Sequence, residues 1–218
     1  TASNADLLVF ASPVYGGRIP DRIMRCFEKK CANGKKVVGI VVYGNMHFGI
    51  SLLQLREKKK KRNCPFLGAG AFIAEHTYSF EDAPIAAGRP SEDDLEQAGK
   101  FGLAVQEKIN ANNMSDATLP RLDLLLLLAK LPENTVRPMV KKPVIIGDCN
   151  RCGACVEFCP TRAINSDTLM IDASKCIRCF ACVKKCPRAA RRGELVITRL
   201  KYPFSAIGSK KKEPIWRI

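Results

Sequence analysis

Cys149-Asn-Arg-Cys152-Gly-Ala-Cys155-Val-Glu-Phe-Cys159-Pro160 returns 27 positions on as Cys176-Ile-Arg-Cys179-Phe-Ala-Cys182-Val-Lys-Lys-Cys186-Pro187. Two residues between cysteines let the chain coil around a compact cluster, so three thiolates of a run reach three of its irons. The fourth cysteine, followed by proline, points away and reaches the cluster of the other run. The spacing therefore predicts two [4Fe–4S] clusters. One takes Cys149, Cys152, Cys155 and Cys186; the other takes Cys176, Cys179, Cys182 and Cys159. Pro160 and Pro187 turn the chain and donate no backbone hydrogen bond. Structural zinc is the alternative, since it also takes four thiolates at this short spacing. Zinc sites pair two cysteines, then two more after a gap, and three cysteines at i, i+3 and i+6 do not follow that plan.

Eleven cysteines, an odd number, argue against a disulfide framework. Cys26, Cys31 and Cys64 lie outside the runs without ligand spacing and read as small buried or incidental thiols. Crowded thiols without an export signal point to a reducing compartment, so a cytoplasmic location is expected. Around the ligands, Val144, Ile146, Val156, Phe158, Ile164, Ile171, Ile177, Phe180 and Val183 read as a dry shell.

The formal charge is +15, and residues 143–218 carry 15 Lys or Arg against 6 Asp or Glu. Eight thiolates and two oxidised cluster cores would bring that segment to roughly +5. Such a surplus suits an acidic redox partner protein. Nucleic acid is not expected, because no aromatic interleaving or nucleic-acid fold accompanies the basic runs. The run at 58–62 reads as a solvated helix end, where cations suit the dipole. No stretch reaches the ~18–20 apolar residues that span a bilayer; the closest, 122–131, is broken by Asp123 and Lys130.

Upstream, strand and helix signals alternate. Residues 7–11 read as a buried strand, followed by a turn-rich loop through Pro20 and a helix through Lys30 with Asp21 as its N-cap. Residues 36–42 are a β-branched run suited to a parallel sheet. Residues 50–61 read as a helix with Ile50, Leu53 and Leu52 inward, and 66–73 as a third strand. Ser91 with Asp94 resembles a capping box that opens a helix to about Asn110. The order predicts an α/β domain over 1–110, a linker over 111–142 that packs partly on one domain, the cysteine domain over 143–200 and a tail over 201–218 that is poorly ordered or draped on the surface.

The cysteine module resembles two-cluster clostridial-type ferredoxins, a small α+β fold. Asp6-Leu-Leu-Val-Phe-Ala-Ser-Pro-Val-Tyr-Gly-Gly-Arg-Ile-Pro20 and Val42-Tyr43-Gly44-Asn45 resemble the third and fourth strands of flavodoxins with their flavin loops. The whole is similar to flavodoxin–ferredoxin fusion proteins. The resemblance implies a flavodoxin-like parallel sheet, incomplete at its N-terminus. It also implies flavin mononucleotide (FMN) at Ser12, Pro13, Tyr15, Gly16, Tyr43, Gly44 and Asn45, with Tyr15 or Tyr43 stacked on the ring. No Ser/Thr- and Gly-rich phosphate loop precedes Asp6. The sequence therefore reads as a fragment or as a decayed flavin site, and FMN is expected only where the upstream segment is present.

The function expected is electron transfer. A catalytic flavin and iron–sulfur oxidoreductase is one alternative, with His47 and His76 as its candidate acid–base groups. A basic binding module with structural or sensory clusters is the other.

Overall fold

A computed structural model describes residues 5–30, 34–61, 63–119, 140–196 and 201–218. Its elements run β1 (Leu7–Pro13), α1 (Asp21–Lys30), β2 (Lys36–Tyr43), α2 (Ser51–Lys60), β3 (Phe66–Ile73), α3 (Glu92–Asn110), β4 (Val144–Ile145), α4 (Ala154–Glu157), α5 (Ala181–Lys184), β5 (Arg191–Arg192), α6 (Lys201–Gly208) and β6 (Ile215–Arg217). Among the described residues, 5–119 and Ser205–Ile218 form one unit, and 140–196 lie in another.

In the first unit the sheet order is β1-β2-β3-β6. β1, β2 and β3 are parallel, joined by helical crossovers, and β6 is antiparallel to β3. Side chains alternate across the sheet, so Val37 and Val41 face one way and Val38 the other. On the first face they join Phe10 and Phe66, with Met24 and Phe27 of α1 and Leu52 and Leu55 of α2. On the second face Val38, Leu67 and Phe72 pack against Phe101 and Val105 of α3, with Trp216 beside them. The result is an α/β domain with helices on both faces of a mixed sheet. All eight residues of β3 are buried, as befits its place between β2 and β6. Ser91 and Asp94 form the capping box of α3.

Several side chains differ from the sequence reading. Leu52 and Leu55 are the buried leucines of α2, while Leu53 is only half-buried. Lys59, inside the supposed solvated run, is buried and pairs with Asp116, which also accepts from the Phe66 N–H. The linker assigned to 111–142 is described only to residue 119 and again from 140. Over that first stretch Ala117 joins the core and donates its N–H to Phe66 O. Cys31 lies outside the described residues.

The C-terminal segment, read as a surface tail, returns to the sheet. Its anchors explain why. Lys212 Nζ donates to the carbonyls of Asn45 (2.7 Å) and Met46 (2.8 Å). Asn45 Nδ2 donates to Gly208 O and Lys210 O. Trp216 packs against Phe101, ring centroids 5.9 Å apart. A lysine in a charge run is read as a solvated head, yet this one satisfies two carbonyls.

The second unit has little regular structure. β4 and β5 form a two-stranded ladder, and bridges link Val140 to Leu195 and Ile164 to Ile171. Its core is built around sulfur: Cys155 and Cys182 with Ala163, Ile164, Leu169 and Ile171, flanked by Cys149, Cys159 and Cys176.

Candidate metal centre

The repeat in sequence is a repeat in backbone. Arg151 and Arg178 are left-handed (φ 58 and 59), as are Gly153 and Phe180 (79 and 54), and Arg162 and Ala189 (50 and 48). Each run thus makes a left-handed step on either side of its second cysteine. One-turn helices follow, carrying Cys155 in α4 and Cys182 in α5.

One cavity is lined by Cys149, Cys152, Cys155 and Cys186, together with Leu169, Arg188 and Arg191. Its sulfurs come from both runs. Among the described residues no three His, Cys, Asp or Glu gather tightly enough to hold a single metal ion. Thiols of both runs around one cavity can together ligate a multi-atom cluster.

The fourth cysteine of each run sits in a matched cradle. Ala163 N–H donates to Cys159 Sγ (3.2 Å), and Ala190 N–H donates to Cys186 Sγ (3.3 Å). Burial pushes the Cys159 thiol up, but the N–H groups of Ala163 and Thr161, with the Thr161 hydroxyl, outweigh it and hold the thiol below its usual range. Cys186 is likewise lowered: burial raises it, and the N–H groups of Arg188, Ala190 and Arg191 more than compensate. Hydrogen bonds to the charged form favour the thiolate, the form that ligates metal. Cys182 behaves oppositely: burial pushes it up to about 12, and neighbouring thiols add to the shift. Cys179 is raised as well, chiefly by burial.

Arg191 is a cavity-lining residue that the sequence reading missed, because one of two adjacent arginines reads as surface charge. It is 5% exposed, and its Nη2 donates to Leu169 O at 2.6 Å. A buried guanidinium is costly without an anion nearby. It lines the cavity, opposes the rise of the Cys182 thiol caused by burial, and adds to the lowering of Cys186. The donor set of thiolates, N–H groups and one buried cation fits an anionic iron–sulfur cluster. The supposed shell is only partly inside: Ile164, Ile171 and Phe180 are buried, whereas Val144, Ile146 and Phe158 are exposed.

The crest of the α/β sheet holds the residues that resemble flavin loops, and they do not fit FMN as arranged. Ser12 is buried and its Oγ donates to Pro13 O. Tyr15 and Arg18 exchange backbone hydrogen bonds across Gly16 and Gly17. Tyr43 is buried edge-on to Phe48. A Cβ on Gly44 would lie 2.2 Å from the His76 ring, so imidazole fills the approach that a flavin would need. The two loops touch: Ile50 N–H donates to Gly17 O, and Gly49 packs on Gly17. Asn45 is held by the C-terminal segment.

Comparison with known proteins bears on the second unit. No curated protein and no solved structure matches the chain. Residues 142–193 match the 4Fe-4S dicluster domain family, and they form a ferredoxin-type dicluster domain.

Proposed function

We propose that the chain is a one-electron carrier. Cys149, Cys152, Cys155 and Cys186 hold one [4Fe–4S] cluster, and Cys159, Cys176, Cys179 and Cys182 hold the other. The observation that carries this reading is a cavity lined by cysteines of both runs. Each cluster, when bound, takes up and releases one electron. The protein's share is electrostatic. The N–H groups of Ala163 and Ala190 hold negative charge on the fourth thiolates, and Arg191 balances it from inside. Burial of Leu169, Ile171 and Phe180 excludes water.

Coupling to FMN is the finer reading that the resemblance invites. The closed crest opposes it, and no step is assigned to a flavin. A catalytic oxidoreductase would need free acid–base groups. His47 and His76 instead accept backbone N–H groups of Gly49 and Tyr78 at Nδ1, so each is used within its own loop.

The test is anaerobic reconstitution followed by assay of iron and sulfide, about eight of each being expected. Paired substitutions read the crossing. Cys152→Ala with Cys186→Ala should spare one cluster, leaving about four irons, whereas Cys179→Ala with Cys186→Ala should remove both. The opposite pattern refutes the crossed assignment, and zinc without labile sulfide refutes the reading altogether. FMN fluorescence should be unchanged by the protein.

A further inference from the structure

The 27-position offset of the repeat extends past the cysteines. It lays Thr161, Ala163 and Ile164 on Arg188, Ala190 and Arg191. The structure matches them too. N–H groups of the first three donate to Cys159 Sγ, and those of the second three donate to Cys186 Sγ. The middle bond measures 3.2 Å in one set and 3.3 Å in the other. Both last members are buried, Ile164 at 6% exposed and Arg191 at 5%. Each also faces an antiparallel neighbour, Ile171 for the first and Ile145 for the second. One position of a matched pair thus carries an aliphatic side chain, and the other a guanidinium.

The charge of that guanidinium is not spent on a carboxylate. Arg191 Nη2 donates to Leu169 O at 2.6 Å. Among the described residues it makes no ion pair, whereas its neighbour Arg192 lies 3.9 Å from Glu194. Leu169 is 4% exposed and belongs to the core that contains Cys155 and Cys182, one cysteine from each run. Leu169 and Arg191 also line the cavity shared by Cys149, Cys152, Cys155 and Cys186. A buried cation costs stability that isoleucine at the matched position does not.

We propose that Arg191 sets the reduction potential of the dicluster domain, holding it above the value that the matched N–H donors alone would give. The inference rests on the two-cluster reading. Each reduction adds one electron, and so one negative charge, to a cluster, with no atom transferred. A fixed positive charge beside the ligands stabilises the reduced form more than the oxidised one, and the exclusion of water strengthens the effect. Net charge and hydrogen bonds to sulfur are both levers on potential. The hydrogen bonds are alike in the two halves, and the charge is what one half adds.

The experiment uses the full chain, reconstituted anaerobically and poised at a series of potentials with a viologen mediator, which gives up one electron per cluster reduced. The reduced fraction is read by visible absorbance and EPR, with iron and sulfide counted on the same sample. At a fixed potential, Arg191→Met should lower the reduced-to-oxidised ratio of the first step at least about tenfold, a midpoint about 59 mV more negative. Arg191→Lys keeps the charge and should stay within about threefold of the native ratio, as should Ile164→Met at the matched apolar position. Arg191→Gln removes the charge but keeps a donor for the Leu169 carbonyl; it should fall as Arg191→Met does, and it serves if that variant loads poorly. An unchanged midpoint in a fully loaded Arg191→Met or Arg191→Gln protein, or an equal fall in Arg191→Lys, overturns the inference and leaves the carrier reading standing. Loss of clusters from both neutral variants assigns the residue to assembly and overturns it as well. Native protein without iron and sulfide overturns both readings.

Discussion

Asp94→Ala should unlatch the α/β unit. The Asp94 side chain is 3% exposed, accepts from the Ser91 N–H (2.7 Å) and hydroxyl (2.9 Å), and pairs with Arg89 through two nitrogens. Arg89 in turn reaches Lys212 O at 3.3–3.4 Å. Loss of the cap costs about 1 kcal/mol. Stranding the guanidinium costs less than the ~3–5 kcal/mol of a fully buried broken pair, because the Arg89 side chain is 18% exposed and keeps its carbonyl partner. Both losses share one carboxylate and are not additive. The expected destabilisation is about 3 kcal/mol. The chain has a single tryptophan, and Trp216 lies in this unit, so urea unfolding followed by its fluorescence reports the unit directly. Ser91→Ala should cost only about 1 kcal/mol. The Arg89 hydrogen bond holds the Asp94 carboxyl below its usual range, with burial working the other way and Ser91 assisting. A depressed folded value means that the contribution is present above about pH 4 and lost as pH falls through the folded value. The native protein should therefore lose this increment on acidification, while the alanine variant has none to lose. A change under about 0.5 kcal/mol in Asp94→Ala, or an identical acid response, refutes the argument.

Two further outcomes follow. Lys212→Met leaves the carbonyls of Asn45 and Met46 without their donor; a loss of about 1 kcal/mol is expected, with Trp216 emission shifting toward red as β6 frays. Gly193→Ala would drive a methyl into the Phe180 ring; iron retention on exposure to a chelator should fall, with the second run released first, and unchanged retention would show that the ring can move aside.

The sequence made the local order plain where residue type and spacing act within one element. The bounds of α1 and β3 follow from apolar runs and turn residues, and the capping box is written in Ser91 and Asp94. The cysteine spacing likewise carries its own geometry. What stayed hidden depends on partners distant in the chain. Lys59 is buried because Asp116 meets it, and Lys212 because two loop carbonyls do; neither shows in a run of lysines. Arg191 is inside, where the Leu169 carbonyl meets it beside the cavity, while its neighbour Arg192 is outside. The flavin-like loops carry the residue types of an open crest, but His76 and the returning C-terminal segment close it.

Because β6 pairs with β3, the cysteine segment lies, along the sequence, between two strands of one sheet. The order of synthesis then matters. When β3 leaves the ribosome, one of its edges has no strand to meet, and the strand is apolar along its whole length. An open apolar edge invites pairing with other chains. It stays open while the entire dicluster segment is made, on the order of ten seconds at ordinary elongation rates. The nascent α/β unit is thus most exposed to aggregation during the interval in which the cysteines emerge. Its protection in the cell falls to whatever attends the ribosome over that interval.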